Sequence, residues 1–457
     1  MLFSGIPFLF YFLPTVIILY FLLPDRFKNS LLLAVSLLFY SWGEPKYVAL
    51  MIFSILAYFL FGLAIEKSSR KKLWLTASIL TGAVLLGIFK YCDFFIGSFN
   101  GILGTSLPLL RLALPIGISF YTFQCMSYAI DVYRGDTKAQ RDLIDFGAYV
   151  ALFPQLIAGP IVRYVDVEKE LRNRSHSFDN FQQGLPRFLI GLGKKVILAN
   201  NLGLLTELYR QSTDKSVLFA WLYAVAFTLH IYFDFSGYSD MAIGLGRIFG
   251  FRFPENFDYP YISRSVTEFW RRWHKTLGGW FRDYVYIPLG GNRVSKARWV
   301  INILAVWMLT GLWHGAAWNF VVWGLLFALL LIAEKWMPIT QKLPRWLQHG
   351  YVLLAVTISF VIFNADSMTQ AGSDLAAMFG IAGFPLSSQA GFYYLRSYGP
   401  VLLLAFFGAT PLPKLLLRSI PRQITTVLQP VALGLLLLVC TAYLVDGSFN
   451  PFLYFRF

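Results

Sequence analysis

Charge and cysteine are both scarce in this sequence of 457 residues. Only 14% of the residues are charged, whereas an average soluble domain carries about 25%. The three cysteines, Cys92, Cys125 and Cys440, form no CxxC pair, so the sequence indicates neither a zinc site nor a disulfide framework. With only five histidines, we expect no metal centre. The absence of a GxSxG turn, a P-loop and an HExxH helix argues against soluble-hydrolase, NTPase and zinc-protease chemistry.

Long apolar runs make up most of the chain. Hydrophobic residues account for 57% of it and aromatic residues for 18%, and the mean hydropathy is +0.58. Continuous apolar runs of about 15 to 25 residues recur from end to end, long enough for helices that cross a bilayer. We therefore predict an all-α polytopic membrane protein, a single integral-membrane domain over residues 1–457 with about eleven transmembrane helices.

Positive charge dominates, with a net charge of +15, but it lies in short clusters between the apolar runs. This pattern is typical of cytoplasmic loops beside an anionic leaflet, so we expect membrane lipids and no nucleic acid as partners. The first 24 residues are uncharged, and Arg26 and Lys28 follow. We interpret Ile6–Leu23 as a retained first span with the N-terminus outside.

Two segments depart from the simple alternation of spans and loops. Phe146–Val162 is apolar but has basic clusters on both sides and contains Pro154 and a Gly-Pro break, which suggests a re-entrant hairpin. The alternative is one ordinary span with a proline kink. Leu185–Leu205 carries Lys194 and Lys195, so we expect it to lie partly in the interface with its lysines snorkelling to the surface.

The longest polar loop, residues 247–298, follows an unusually polar helix. His230 and Asp234 stand four residues apart in that helix, where they could neutralise each other. The loop holds ten Lys or Arg residues against four acidic ones, so we place it in the cytoplasm.

Arginine and tryptophan are interleaved in this loop, in the segment EFWRRWH at 268–274. Guanidinium groups bind phosphate through paired hydrogen bonds and indole faces stack on nucleobases, so Trp270, Arg271 and Arg272 suit a coenzyme A thioester. The alternative is an interfacial amphipathic helix, with Trp at the level of the headgroups and Arg on lipid phosphates. Composition by itself favours the second interpretation.

His314 lies in the middle of the apolar run Trp299–Ile332. Ionisable side chains at membrane depth are costly and therefore tend to be functional, although a lone histidine is more often a hydrogen-bonded core residue. As one straight helix the run would measure about 50 Å, longer than a bilayer core of about 30 Å. Because Gly311 and Gly315 offer a place to bend, we predict two shorter helices that meet near His314.

Histidine suits general-base chemistry because its pKa lies near neutral pH. Deprotonating a hydroxyl so that it attacks a thioester carbonyl needs one such base and a hydrogen-bond donor for the developing oxyanion. His314 is our candidate base. His274 lies forty residues earlier, in the polar loop. Asparagine, tryptophan N–H or backbone N–H groups near the glycine bend are candidate donors.

Five blocks of sequence resemble signatures of the bacterial membrane-bound O-acyltransferase family, in its alginate O-acetyltransferase branch. They are PQLIAGPIVR at 154–163, FDFSGYSDMAIG at 233–244, FPENF at 253–257, EFWRRWH at 268–274 and GLWHGA at 311–316. The match is dense over residues 114–324 and in the same order, whereas the last hundred residues match in hydropathy alone.

The resemblance implies a ring of tilted helices and half-membrane elements around a central tunnel, in a bacterial cytoplasmic membrane. It implies that His314 is catalytic and that His274 is a second functional residue. It also implies acetyl transfer to an extracytoplasmic polysaccharide through an exported partner of the SGNH-hydrolase type. The donor would be acetyl-CoA or another acyl thioester, with no bound cofactor or metal. We assign donor binding to Trp270, Arg271, Arg272 and Trp313, and supporting roles to Asp234, Asn256 and Asp283.

Two other functions remain open at this point. The same fold could transfer D-alanine from a carrier protein to teichoic acid, in which case the cytoplasmic loop would bind a protein. Alternatively, the chain could be a transporter or lipid flippase in which His230, Asp234 and His314 form a proton path. The sequence shows no convincing internal repeat of the kind that many transporters carry.

Overall fold

A computed structural model describes residues 3–337, 342–447 and 452–453, and these residues form helices, turns and loops without a β-strand. The predicted all-α class is confirmed. In chain order, the α-helices up to residue 211 are α1 (Leu13–Leu22), α2 (Asp25–Gly43), α3 (Val48–Lys67), α4 (Lys71–Leu86), α5 (Cys92–Leu103), α6 (Ile118–Arg134), α7 (Leu143–Ala151), α8 (Phe153–Leu156), α9 (Tyr164–Arg172), α10 (Phe178–Gly193) and α11 (Asn200–Gln211). Those that follow are α12 (Val217–Ile248), α13 (Val266–Arg272), α14 (Lys275–Phe281), α15 (Lys296–His314), α16 (Trp318–Trp336), α17 (Arg345–Phe363), α18 (Met368–Met378), α19 (Gln389–Gly408), α20 (Leu412–Ser419) and α21 (Arg422–Asp446).

The described residues include seven helices that are long and apolar enough to cross a membrane. The number rises to eight if the bent pair α19 and α20 counts as one span. The first apolar helix, Phe8–Leu22, is shorter than these. The chain is therefore a multi-pass membrane protein, but the predicted count of about eleven spans is not confirmed.

Contacts divide the chain into two compact units. Unit 1 comprises Met1–Phe188 and Tyr238–Glu255, and unit 2 comprises Leu189–Gly237 and Asn256–Phe457. The ring around a central tunnel stays a prediction. So does the single domain over residues 1–457, part of which lies outside the described residues.

In unit 1, the predicted re-entrant segment is not a single helix. Helix α7 has nine residues and rises about 14 Å, roughly half of a bilayer core. The chain then breaks, forms the short α8 and continues without regular structure to Arg163, and all of Phe146–Val162 is buried. The Tyr149 hydroxyl donates to the carbonyl oxygen of Val162 at 3.1 Å, so the chain folds back beside its own start. The alternative of one proline-kinked span was wrong.

In unit 2, Lys195 does not reach the surface. A π-helical turn, Lys194–Ala199, joins α10 to α11, and the Lys195 side chain is fully buried there. Its Nζ donates to Asp234 Oδ1 at 2.5 Å, and the second carboxylate oxygen accepts the backbone N–H of Leu453 at 2.8 Å. The snorkelling prediction was wrong for Lys195, because a buried charge that finds a counter-charge need not extend to water. Asp234, which we considered as a possible partner of His230, forms its ion pair with Lys195.

Helices α15 and α16 form the predicted hairpin in unit 2. Ser295 begins α15 by accepting the N–H of Arg298, and the helix ends at His314. Glycine lets the two helices approach closely, because a methyl group at Gly311 would overlap the carbonyl oxygen of Phe320 and one at Gly324 would overlap that of Trp307. The predicted break near His314 is confirmed, and it places this histidine at the tip of the hairpin.

Candidate active site

His314 is the last residue of α15 and is 2% exposed. Aromatic rings surround its imidazole, with centroids at 5.0 Å for Trp313, 5.1 Å for Trp323 and 5.4 Å for Phe363. The next residue is Gly315, where a Cβ atom would overlap the Phe320 ring. The site around His314 is therefore a shielded, largely apolar environment, in which electrostatic interactions are stronger than in water.

His274 occupies the corner between α13 and α14 and is 1% exposed. Its backbone is left-handed, with φ of 43°, a conformation that costs about 1–3 kcal/mol and often marks functional sites. Helix α13 fixes the approach to this corner, because Ser265 caps it by accepting the N–H of Glu268. Burial first, and the neighbouring His314 second, hold the pKa of His274 well below its usual range, so its imidazole is neutral near pH 7.

The fold brings the two predicted histidines together. The His274 and His314 ring centroids are 6.4 Å apart. The Trp313 ring lies beside both, with its centroid 5.0 Å from that of His314 and 5.8 Å from that of His274. At this separation the imidazoles cannot hydrogen-bond directly, since a direct bond needs about 3 Å between nitrogen atoms. They can still act on a common atom or through one bridging hydroxyl.

Asn256, which we predicted as a supporting residue, is fully buried against His274. Its Oδ1 lies 3.0 Å from His274 Nδ1. The same oxygen accepts the Thr276 hydroxyl at 2.9 Å and the Thr276 backbone N–H at 3.4 Å. The Asn256 carbonyl oxygen also accepts the N–H of Lys275 at 2.9 Å. One asparagine thus binds three consecutive residues at the start of α14.

The indole N–H groups of Trp323, on α16 beside His314, and of Trp270, on α13, are buried and have no acceptor among the described residues. The ring centroids of these two tryptophans are 5.7 Å apart. Leaving such a donor unsatisfied costs about 1–3 kcal/mol, so each calls for an explanation. A ligand carbonyl oxygen beside His314 would satisfy one of them.

The residues that we predicted to bind the acyl thioester donor, such as Trp270, Arg271 and Arg272, have surroundings that differ from one another. Trp270 packs against Trp307 and Phe327, at 4.6 and 4.8 Å between centroids, so a nucleobase could stack on it only if this cluster opened. Arg271 is exposed. The Arg272 guanidinium pairs with Glu268 at 3.0 Å and with Asp258 at 3.2 Å. Donor binding by these residues stays a prediction.

The two predicted acidic residues lie in surroundings unlike those of the histidines. Asp234 is buried in its ion pair with Lys195, whereas Asp283 forms a pair at 2.7 Å with Arg282, whose side chain is 64% exposed. Their supporting roles stay predictions. Within the described ranges there is no group of three His, Cys, Asp or Glu residues that could hold a metal ion.

Sequence reasoning did not single out Trp323, Phe363 or Thr276. A signal existed for Trp323, because it follows His314 by nine residues in a run that we expected to fold back on itself. No feature of the neighbouring sequence indicates that Phe363, the last residue of α17, lies beside His314. Lys195 had a signal that we misread, since a lysine inside an apolar run can pair with a buried acid as well as snorkel.

The fold and site define a helical membrane protein in which the buried histidines His274 and His314 lie side by side, with no metal-ligand cluster among the described residues. The family model of MBOAT, the membrane-bound O-acyltransferase family, matches residues 37–366. The chain belongs to this family, and it is an O-acyltransferase.

Several named proteins are similar to the chain. A probable alginate O-acetylase of Azotobacter vinelandii is 40% identical over the whole of both chains. A peptidoglycan O-acetyltransferase of Helicobacter pylori is 33% identical over 90% of this chain and 86% of its own length. A teichoic acid D-alanyltransferase of Bacillus subtilis is 32% identical over 54% of this chain and 67% of its own length.

Proposed function

We propose that the protein transfers an acetyl group from a cytoplasmic acyl thioester, acetyl-CoA, to a polysaccharide outside the membrane, with His314 as the general base. The observation that carries the proposal is the position of His314, buried at the tip of the α15–α16 hairpin and 6.4 Å from His274. In this arrangement the loop 247–298 faces the cytoplasm and the N-terminus faces outward, as the distribution of basic residues favours.

The chemical step needs one base and one oxyanion donor. A ring nitrogen of His314 accepts the proton of the acceptor hydroxyl while that oxygen attacks the thioester carbonyl carbon, so a C–O bond forms and the carbonyl oxygen gains negative charge. The C–S bond then breaks, and the departing thiolate takes the proton back from His314. The products are an ester and a free thiol, and the histidine returns to its starting state.

The buried indole N–H of Trp323 supports this mechanism, because it offers a donor without an acceptor beside the proposed base. Donors of this kind stabilise a developing oxyanion most effectively when they are fixed and shielded from water. The packing of Trp323 between Phe327 and Phe363, with centroids at 5.3 and 5.1 Å, holds the indole in place.

The acceptor assignment follows the full-length relatives, whose names are those of polysaccharide O-acetylating enzymes. An exported enzyme of the SGNH-hydrolase type would pass the acetyl group to the glycan. A second function, D-alanyl transfer to teichoic acid, is supported by the similarity to a teichoic acid D-alanyltransferase, which extends over 54% of the chain. In that case a carrier protein would bring the acyl group to the loop.

The test uses full-length protein in liposomes, with radiolabelled acetyl-CoA on one side of the membrane and a polysaccharide acceptor on the other. The free thiol that is released and the acetyl group that reaches the polysaccharide are measured separately. We expect His314→Ala to lower turnover by about 10²–10⁴-fold, the usual contribution of a general base. His349→Gln is the matched control, because this histidine bonds the Ser263 carbonyl oxygen at 3.0 Å instead of facing the His274–His314 pair.

Normal turnover in the His314→Ala protein would overturn the assignment of the base. Binding of a D-alanyl carrier protein, with no binding or turnover of acetyl-CoA, would replace acetyl transfer by D-alanyl transfer. Both outcomes are judged at equal amounts of wild-type and variant protein in the liposomes, which immunoblotting of the liposomes measures.

A further inference from the structure

We propose that Asn256 is a positioning residue that holds His274 as a neutral imidazole with its hydrogen on Nδ1, so that Nε2 of His274 is a hydrogen-bond acceptor beside His314. The catalytic consequence rests on the function proposed above. The tautomer itself does not, because it follows from the bonding of Asn256 alone.

One atom of the Asn256 side-chain amide, either the oxygen or the nitrogen, faces His274. Oxygen and nitrogen of an amide side chain are told apart by their partners, since oxygen only accepts and NH₂ only donates. The atom that faces His274 also lies 3.4 Å from the backbone N–H of Thr276, and a backbone N–H can only donate. That atom is therefore the oxygen. The Thr276 hydroxyl, 2.9 Å away, is a second donor to it.

The bond to Asn256 determines which ring nitrogen of His274 carries the hydrogen. Because Asn256 Oδ1 cannot donate, a hydrogen bond of 3.0 Å to Nδ1 requires that Nδ1 carries the hydrogen. In a neutral imidazole the other nitrogen, Nε2, then has a lone pair. The left-handed backbone of His274 and the three other hydrogen bonds that Asn256 accepts from residues 275 and 276 hold the ring and the amide in this arrangement.

The surroundings of the ring disfavour its charged form. Phe235 lies 4.6 Å away, Trp313 lies 5.8 Å away, and His314, which is itself ionisable, lies 6.4 Å away, all measured between ring centroids. Lys275, the next residue along the chain, is exposed. A proton on His314 therefore disfavours a second proton on His274, and the depressed pKa of His274 has the same direction.

This assignment defines what His274 can do in the reaction. A lone pair at Nε2 cannot stabilise an oxyanion, which leaves that task to N–H groups such as the Trp323 indole. It can accept a hydrogen bond from the imidazolium of His314 through one intervening hydroxyl or water, and so stabilise the charge that His314 gains as it takes the proton. His274 then supports the base without exchanging a proton itself.

The tautomer can be measured directly. Full-length protein labelled with ¹⁵N-histidine in lipid bilayers gives separate solid-state NMR signals for protonated and unprotonated ring nitrogens, and a His274→Gln sample identifies the His274 pair. We expect Nδ1 to be protonated and Nε2 unprotonated at pH 7. Protonation at Nε2, or at both nitrogens, would overturn the proposal even if acetyl transfer proceeds normally. Conversely, the expected spectrum in a protein without acetyltransferase activity would overturn the proposed function alone.

Two substitutions separate positioning from a merely structural role. Asn256→Leu has nearly the same volume but no acceptor, so we expect a mixed tautomer and a kcat about 10–100-fold lower, with KM little changed. Asn256→Asp keeps an acceptor oxygen and adds a negative charge, which favours protonated His274 and raises its pKa. We expect this variant to recover most of the turnover at high pH and to lose activity on acidification at a higher pH than wild type.

The proposal is contradicted if Asn256→Asp loses activity on acidification at the same pH as wild type and if Asn256→Leu keeps the wild-type tautomer of His274. Asn201→Leu is the matched control, because Asn201 donates to the Ile197 carbonyl oxygen at 2.7 Å, four residues before it in the chain, and has no part in the proposed arrangement. It should leave the NMR pattern and the pH profile unchanged. A misfolded Asn256→Leu protein still leaves the wild-type spectrum and the Asn256→Asp profile as decisive measurements.

Discussion

Trp323 carries a buried N–H group that destabilises the fold when it has no acceptor and that we propose as the hydrogen-bond donor to the oxyanion. Its indole N–H is buried without an acceptor among the described residues, beside the histidine that we propose as the base. Its ring also packs tightly, so a substitution can act through lost packing as well as through the lost hydrogen-bond donor. Phenylalanine removes the N–H and leaves an aromatic ring in place, which separates the two contributions.

We expect Trp323→Phe to lower kcat by about 10²–10³-fold, the range found when one oxyanion donor is removed, with a small change in stability. Turnover in liposomes and thermal unfolding in detergent measure the two quantities. Trp346→Phe is the control, since that ring is 71% exposed. A Trp323→Phe enzyme with normal kcat would show that the oxyanion donor lies elsewhere, with the indole of Trp270 as the next candidate.

The buried pair of Lys195 and Asp234 shows how a residue pattern can be misread. A lysine in an apolar run and an aspartate near a histidine each suggested a local explanation, namely snorkelling and a helical pair. The two residues are 39 positions apart and bond each other at 2.5 Å. With its carboxylate bound to Lys195 and to Leu453 N–H, Asp234 is a poor member of a proton path, which weakens the transporter hypothesis.

At the scale of single elements, sequence length and glycine position were enough to predict the α15–α16 hairpin. The run was too long for one span, and the break falls at His314 as expected. Proline and the charges on both flanks likewise pointed to the broken segment at Phe146–Val162. These features are local, so a single sequence carries them.

Contacts between distant elements could not be predicted in the same way. The tightness of the hairpin depends on which carbonyl oxygens face Gly311 and Gly324, and this follows from the rotation of each helix about its axis. Asn256 meets His274 because the loop 256–265 folds back so that its first residue lies against the start of α14. No periodicity in the sequence encodes either arrangement, whereas the family resemblance did pick out both histidines and Asn256.

A glycine substitution in the hairpin tests this account. Alanine is favoured over glycine in a helix by about 1 kcal/mol, so propensity alone predicts that Gly311→Ala stabilises the protein. We expect the opposite sign, a loss of about 1–3 kcal/mol, because the new methyl group would overlap the Phe320 carbonyl oxygen and push the helices apart. Displacement of His314 should lower turnover as well.

Thermal unfolding in detergent measures the stability, and Gly434→Ala in α21 is the matched control, since no atom lies within 4 Å of the position of its added methyl group. We expect that control to be neutral or slightly stabilising. Equal, stabilising effects at both positions would mean that α15 and α16 are not held together by close glycine contact.

At the scale of the whole molecule, the two units carry different kinds of ionisable groups. Unit 2 contains the histidine pair, and unit 1 contains His176, in the loop between α9 and α10. The groups that face His176 are the Tyr20 hydroxyl at 3.3 Å, Asp25 at 3.6 Å, Lys28 and Arg174. Burial first, and then the positive charges of Lys28 and Arg174, lower the pKa of His176 to about 4.

This depression gives the stability of the protein a pH dependence whose sign can be worked out. Between pH 4 and about 6.5, the unfolded chain binds a proton at His176 that the folded chain does not bind. The unfolding free energy attributable to His176 therefore rises with pH over this window and is constant above it. One group can contribute at most about 1.4 kcal/mol per pH unit, and solvent screening at this half-buried site makes the slope smaller.

We expect the melting temperature in detergent to increase from pH 4.5 to pH 7 by more in the wild type than in His176→Gln, because glutamine keeps a polar side chain but does not titrate. Carboxyl groups that titrate in the same window cancel in this difference. Asn173→Gln, an exposed substitution in the same loop, should behave as wild type. If wild type and His176→Gln have the same pH dependence, the His176 side chain is solvated and unit 1 does not shield it as the structure indicates.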